Sequence, residues 1–282
     1  YGPLCIVCSN HLGYTVYRGP SLSSYLASSA ARRLSLAILL GCTYVALAGV
    51  AWAGDALIVN EAFMPDRLGA STNLSITARF ASSADVPPAP VSGLTLYMPA
   101  GLGIETQGAG TCTEAALERL GPAGCPEDSR VGFGGGIAVL AFPDELIREP
   151  FTLDFFFATP EHSRLKLLIS ASGVSPVAVA LVVVAREIPA PRPYGLGFSV
   201  QVPRIATIPG ASYASIESAF ATIGASNAAY FKTVRGRRTL VHIKGLVVPR
   251  SCPAEGFPTR GTVEFADGAT FTVNPTIPCP PR

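Results

Sequence analysis

Between Thr72 and Phe80, the apolar residues Leu74, Ile76, Ala78 and Phe80 alternate with Asn73, Ser75, Thr77 and Arg79. A period of two puts one set of side chains on each face of an extended strand, so this pattern commits the segment to a half-buried sheet. Similar runs occupy Ala56–Phe63, Gly93–Met98, Phe151–Ala158, Leu165–Ser170, Val177–Arg186, Gly197–Val202, Ser215–Ile223 and Thr239–Val248. Val177–Ala185 is apolar without a break; too short to cross a bilayer as a helix, it reads as a central strand buried on both faces. Thr262–Phe265 and Thr270–Val273 flank Ala266-Asp267-Gly268-Ala269, a hairpin signal because Asp-Gly supplies positive φ. The 25 Pro and 28 Gly punctuate these segments, and Ala81–Ser92, with Pro87, Pro88 and Pro90, reads as a surface connection. The expected fold is all-β: an antiparallel β-sandwich, one large or two small, with a sub-boundary near Glu149, at Arg148–Pro150, if there are two.

One helix interrupts the pattern. Thr111 is placed to cap it, with Glu114 answering three positions on as a capping box, and Gly121-Pro122 ends it. Ser215–Ile223 also fits a helix through Ile216, Phe220 and Ile223, so that segment stays open between the two readings.

Residues 1–53 read as a leader outside the fold. No acidic residue precedes Asp55, Arg32-Arg33 leads into the apolar run Leu34–Ala53, and the run ends in Ala51-Trp52-Ala53. A basic start, an apolar stretch and a small-x-small end are the three parts of a secretory signal, with the cut expected after Ala53. Two alternatives stand beside it. The run is long enough to stay in the bilayer as an uncleaved anchor, and Leu39-Leu40-Gly41-Cys42 resembles a lipobox that would place lipid on Cys42. Upstream, Cys5 and Cys8 have only His11 nearby, short of the four ligands of a zinc site.

Beyond the leader there are four cysteines, an even count that in an exported chain implies disulfides. Cys112–Cys125 and Cys252–Cys279 are the favoured pairs among three possible pairings, because each brackets a short local segment. The first pair would staple the helix at both ends. Removing Arg18, Arg32 and Arg33 leaves 18 basic against 19 acidic side chains, a balance that excludes a strongly basic nucleic-acid binder.

The segment Leu96-Tyr97-Met98-Pro99-Ala100-Gly101-Leu102, followed by Thr111-Cys112-Thr113 and by Gly124-Cys125-Pro126-Glu127-Asp128-Ser129-Arg130-Val131-Gly132, resembles a motif of an uncharacterised family of exported actinobacterial proteins. Leu246-Val247-Val248-Pro249-Arg250-Ser251-Cys252 resembles that family's second cysteine segment. The likeness covers about residues 90–282. It implies a secreted, disulfide-bonded β-sandwich-like protein and carries over no catalytic residue.

The residues offer little catalytic chemistry. There is no Gly-x-Ser-x-Gly elbow. His162 sits in a turn-like segment, and His242 alternates with apolar neighbours on a face shared with Lys244. Neither has a local nucleophile and orienting group. Ser163-x-x-Lys166 matches a penicillin-recognising motif, but Lys166 lies in a strand pattern and no Lys-Thr-Gly follows. Asp144-Glu145 and Glu127-Asp128 lack the spaced oxygens of a calcium loop. Gly132 and Gly134–Gly136 lack a phosphate-loop context and read as turns or strand bends. The only Trp is Trp52, so a sugar platform would rest on Tyr97, Tyr194, Tyr213 or Tyr230. Asn73-Leu74-Ser75 is a glycosylation sequon only in a eukaryotic secretory route. No cofactor and no metal is expected.

One charge feature stands out. From Ser218 to Ala254 there is no acidic residue, while Lys232, Arg235, Arg237, Arg238, Lys244 and Arg250 are all present. Arg235-Gly236-Arg237-Arg238 reads as a hairpin tip whose guanidiniums suit an anionic partner, such as a phosphate-bearing envelope polymer or lipid headgroup; another envelope protein is the other expected partner. The expectation is an exported cell-envelope or extracellular structural or binding protein, non-catalytic, reaching a membrane only if residues 34–53 are retained. A secreted hydrolase using a Ser/His arrangement is the alternative.

Overall fold

A computed structural model describes residues 56–81, 86–142, 145–206, 212–226 and 228–281. The leader with its apolar run, Cys5, Cys8, Cys42 and the expected cleavage position lies outside the described residues, as does Asp144. Residues 53–282 form one compact unit.

The elements run β1 (Ala56–Met64), β2 (Ser71–Ala81), β3 (Val91–Pro99), β4 (Gly103–Glu105), α1 (Glu114–Leu120), β5 (Arg130–Ala141), β6 (Leu146–Phe157), β7 (Lys166–Gly173), β8 (Val179–Ile188) and β9 (Tyr194–Gln201). They continue with β10 (Ser215–Ile223), β11 (Ala228–Val234), β12 (Arg237–Ile243), β13 (Gly245–Val247), β14 (Phe257–Pro258), β15 (Arg260–Phe265), β16 (Thr270–Val273) and β17 (Thr276–Ile277). The fold is antiparallel β with one short helix: a large sheet in the order β16-β15-β3-β9-β8-β7-β6-β5-β10-β2-β13-β4, with β1 on β2. Two small pairs, β11–β12 and β14–β17, stand apart from it.

The large sheet folds back on itself. Leu57 and Phe80, from β1 and β2, pack with Val263, Phe265 and Phe271, from β15 and β16 at the other end of the strand order. Phe80 meets Phe265 edge-on at 6.1 Å, and Phe265 meets Phe271 edge-on at 5.6 Å. Thus side chains, not ladder hydrogen bonds, bring the two ends together. The sub-boundary at Arg148–Pro150 does not divide this unit, because it falls inside β6, where Glu149 pairs with Ala138 of β5.

The backbones of β5 and β10 approach closely at the glycines of β5. A Cβ on Gly134 would lie 2.3 Å from the Phe220 carbonyl, and one on Gly136 would lie 2.0 Å from the Ser218 carbonyl. These glycines therefore admit the β10 backbone at close range within a long strand, and they form neither a phosphate loop nor a turn.

Ser215–Ile223 is a strand, paired with both β2 and β5. The Asp267-Gly268 hairpin forms as the pattern implies, with Gly268 at φ 89°. The run Thr239–Val248 breaks into β12 and β13 at Gly245, whose φ is 63° and whose Cβ would collide with the Gly224 carbonyl.

Both disulfides form, Cys112–Cys125 and Cys252–Cys279. The helix cap is Thr113, whose hydroxyl accepts from the Ala116 N–H at 3.2 Å; Thr111 is not the cap. The reason is that Cys112 is held extended, its N–H donating to the Phe157 carbonyl at 2.8 Å, so helical backbone starts only at Glu114. Glu114 pairs with Lys166 at 2.5 Å across the helix–sheet boundary. The helix lies on the outer face of the sheet, where Cys112 (1% exposed) and Leu117 (2%) pack with Phe156 and Leu168. Val182 and Val184 of β8 join that cluster, while Val183 and Ala185 face the other way. Leu181–Ala185 has cover on both faces, whereas Ala178 and Ala180 are exposed, so the apolar run is not buried on both faces along its whole length.

Candidate functional site

Alternation decides what faces inward. From β1 come Leu57 and Val59; from β2, Leu74, Ile76 and Ala78; from β6, Leu153 and Phe155; from β7, Leu167, Ile169 and Ala171; from β8, Leu181 and Val183; from β9, Leu196, Phe198 and Val200. The opposite positions carry Ser75, Thr77, Arg79, Thr152, Asp154 and Ser170. Apolar-in and polar-out is the reverse of the pattern on a lipid-spanning barrel.

The inward side chains do not fill the space they enclose. Leu57, Val59, Ile76, Leu96, Leu153, Leu167, Ile169, Leu181 and Phe198 face inward yet are only half-buried. They surround a cavity of about 410 Å³. Protein interiors are normally packed so that few voids exceed a water molecule. The hollow is partly open to solvent, so it is a half-enclosed apolar cleft and not a sealed void. Water is a poor filler, because it needs two to four polar partners and the wall is nearly all hydrocarbon.

Two carboxylates interrupt the wall, Glu61 and Glu149. Glu149 is buried and satisfied: its Oε1 accepts from the Ser175 N–H at 2.9 Å and its Oε2 from the Val177 N–H at 3.3 Å. It ties down the turn between β7 and β8. Glu61, on the inward face of β1, differs. Its Oε2 accepts from the Thr259 hydroxyl, but its Oε1 is buried without a hydrogen-bond partner. Desolvation pushes the Glu61 carboxyl above its ordinary value of 4.5, and the Thr259 hydrogen bond opposes that push without cancelling it. Glu61 is the strained polar group of the wall.

The residues singled out as chemistry do not converge. His162 and Ser163 are neighbours in the exposed turn before β7, with φ of 52° and 63°. Lys166 is in β7 and engaged by Glu114. The open polar concavity at this turn contains Glu161, His162, Arg164, Arg186 and Glu187. Glu187 Oε2 there accepts from the Leu165 N–H at 2.6 Å, and Arg186 pairs with Glu161 at 3.7 Å. His242 is exposed on β12. Among the described residues no group of three or more His, Cys, Asp or Glu is arranged to hold a metal. Tyr97 stacks on Tyr194 at 5.6 Å, so these two rings cover each other; Tyr213 stands apart under Arg204 at 5.5 Å. Asn73 Oδ1 accepts from the Ser226 N–H at 2.9 Å.

The basic segment forms a two-stranded hairpin, β11–β12, with Arg235 and Gly236 at its tip at φ 50° and 75°. Arg235, Arg237 and Arg238 are exposed there. The segment is not wholly unneutralised, because acids distant in sequence reach it: Lys232 pairs with Asp128, and Lys244 with Glu105 at 2.9 Å. Tyr230 sits among Glu127, Asp128 and Arg130; burial first, then the two acids, raise its phenol above 10.0.

Alternation in the sequence marks the wall but carries no sign of the hollow. The signal for Glu61 was present, a carboxylate at the inward period of Leu57, Val59 and Phe63. No family model, curated protein or solved structure matches this chain.

Proposed function

We propose that this protein is an exported binding protein of the cell envelope or extracellular space, non-catalytic, whose folded-back sheet holds an apolar ligand. The observation that carries the proposal is the cavity of about 410 Å³ walled by apolar side chains. Its size falls in the range of about 300–1,000 Å³ used for small-molecule sites. A hydrocarbon ligand would replace the missing packing contacts without needing polar partners. Two disulfides and the basic–apolar–small leader pattern support an extracytoplasmic location. No helix among the described residues is long and apolar enough to cross a membrane.

The test is titration of the chain beginning at Gly54 with an environment-sensitive apolar fluorophore, followed by displacement with long-chain acyl compounds. Saturable one-site binding with displacement is the expected result. Non-saturable binding, or none, would remove the proposal.

A further inference from the structure

The β11–β12 hairpin has two unlike faces. Cross-strand partners share a face, so Tyr230 with Val241 and Lys232 with Thr239 define one, and Phe231 with Leu240 and Thr233 with Arg238 define the other. The first face is tied to the body of the protein. Lys232 Nζ pairs with Asp128 and donates to the Gly108 carbonyl, Val241 packs against Gly108, and Ile243 at the hairpin base is buried. The second face is open. Phe231 is 62% exposed and Leu240 is 46% exposed, directly opposite one another. Arg238 lies over the Phe231 ring at 4.4 Å. Arg235 follows at the tip, while Arg237, paired with Val234, belongs to the first face; no acidic side chain among the described residues pairs with Arg235 or Arg238.

We infer that this open face docks on the surface of an anionic lipid bilayer, with Phe231 and Leu240 entering the headgroup boundary and Arg238, with Arg235 at the tip, on lipid phosphates. Guanidiniums alone would suit any polyanion. The apolar pair beside them decides for a bilayer, because a hydrated polymer offers nothing for Phe231 and Leu240 to enter. Arginine stems also lie along apolar surface while their heads stay at the phosphate level. The clamped face accounts for rigidity: Lys232 and Lys244 hold the hairpin to the body through Asp128 and Glu105, so the open face is presented in a fixed orientation. The inference is independent of what the cavity holds.

The test is co-sedimentation of the chain beginning at Gly54, which carries the whole compact unit, with phosphatidylglycerol and phosphatidylcholine vesicles. Starting at Gly54 removes any contribution of the apolar run 34–53. Binding is expected on the anionic vesicles only, weakening from 0.1 M to 1 M salt as the Debye length falls from about 10 Å to about 3 Å. Each cation at an anionic surface is worth about fivefold in partition, so Arg235→Ala and Arg238→Ala together should lower it about 25-fold. Phe231→Ser with Leu240→Ser should lower it on the order of tenfold, and both variants should melt with the parent because the sites are exposed. Absence of vesicle binding, or an unchanged Arg235/Arg238 variant, overturns the inference. So does a Phe231/Leu240 variant that binds vesicles as the parent does; retained, arginine-dependent binding to soluble polyphosphate would then identify a polyanion site instead.

Discussion

Replacing Cys112 and Cys125 by Ala should destabilise the folded unit although it leaves the large sheet's ladders intact. Helix α1 has seven residues, too few to hold as a helix on its own. It is kept by the disulfide and by Leu117, which is packed with Phe156 and Leu168 on the outer face of the sheet. Opening a loop of 13 residues returns to the unfolded chain an entropy worth about 3 kcal/mol in the chain-entropy account. For a unit of this size, that corresponds to a fall in melting temperature of roughly 6–12 °C. Leu117→Ala attacks the same helix through packing and should cost about 2–5 kcal/mol. Because both act on one cluster, the triple variant should lose less than the sum. The Cys252–Cys279 pair lies in a different cluster, and its loss should add in full. Urea unfolding followed by circular dichroism measures all of these. If the Cys112/Cys125 variant unfolds within about 0.5 kcal/mol of the parent, or if its effect adds in full to that of Leu117→Ala, the helix is not a stapled part of the cooperative unit and the reasoning fails.

Two further perturbations probe the sheet and its wall. Gly136→Val should abolish soluble expression or cost several kcal/mol, since its Cβ would meet the Ser218 carbonyl at 2.0 Å and the Phe151 ring at 2.7 Å; a melting temperature near the parent's would mean that β5 and β10 do not approach as described. Glu61→Gln should flatten the dependence of stability on pH, because the carboxyl is held above its ordinary 4.5. With a raised folded value, the native state retains the proton longer, so this contribution is fully present below the ordinary value and is lost as pH rises through the folded one. Parallel pH–stability curves for parent and variant in unfolding titrations would contradict that assignment.

How much of this was readable before the structure follows from how far each cause lies in sequence. β16 was legible to the residue, because an Asp-Gly turn is a local signal, whereas β10 stayed open between strand and helix because Ile216, Phe220 and Ile223 also fit a helical period. The disulfide pairs were legible because each joins neighbours. β5 was not, since Gly132 and Gly134–Gly136 carry no side chain to alternate, and their role appears only against Ser218, Phe220 and Thr222 of β10. The cap moved from Thr111 to Thr113 because a bond from Cys112 to Phe157 outranks local propensity. Lys232 and Lys244 looked unneutralised because Asp128 and Glu105 are more than a hundred residues away. The hollow interior was the least legible, because it depends on the sheet folding back through contacts such as Phe80 with Phe265. Alternation says which side chains face inward but not how far apart the facing walls stand.

The account turns on whether the space inside the sheet takes a ligand. Ala171 of β7 and Ala219 of β10 line it, so Ala171→Trp and Ala219→Phe put bulk into the cavity. The decisive measurement is the apolar-fluorophore titration of these two variants beside the parent, with circular dichroism and melting as the check on folding. The account predicts one saturable site in the parent and at least tenfold weaker binding in both variants, at melting temperatures equal to or above the parent's, because filling a void restores packing. Folded variants that bind the fluorophore as tightly as the parent would place the site elsewhere and contradict the central claim.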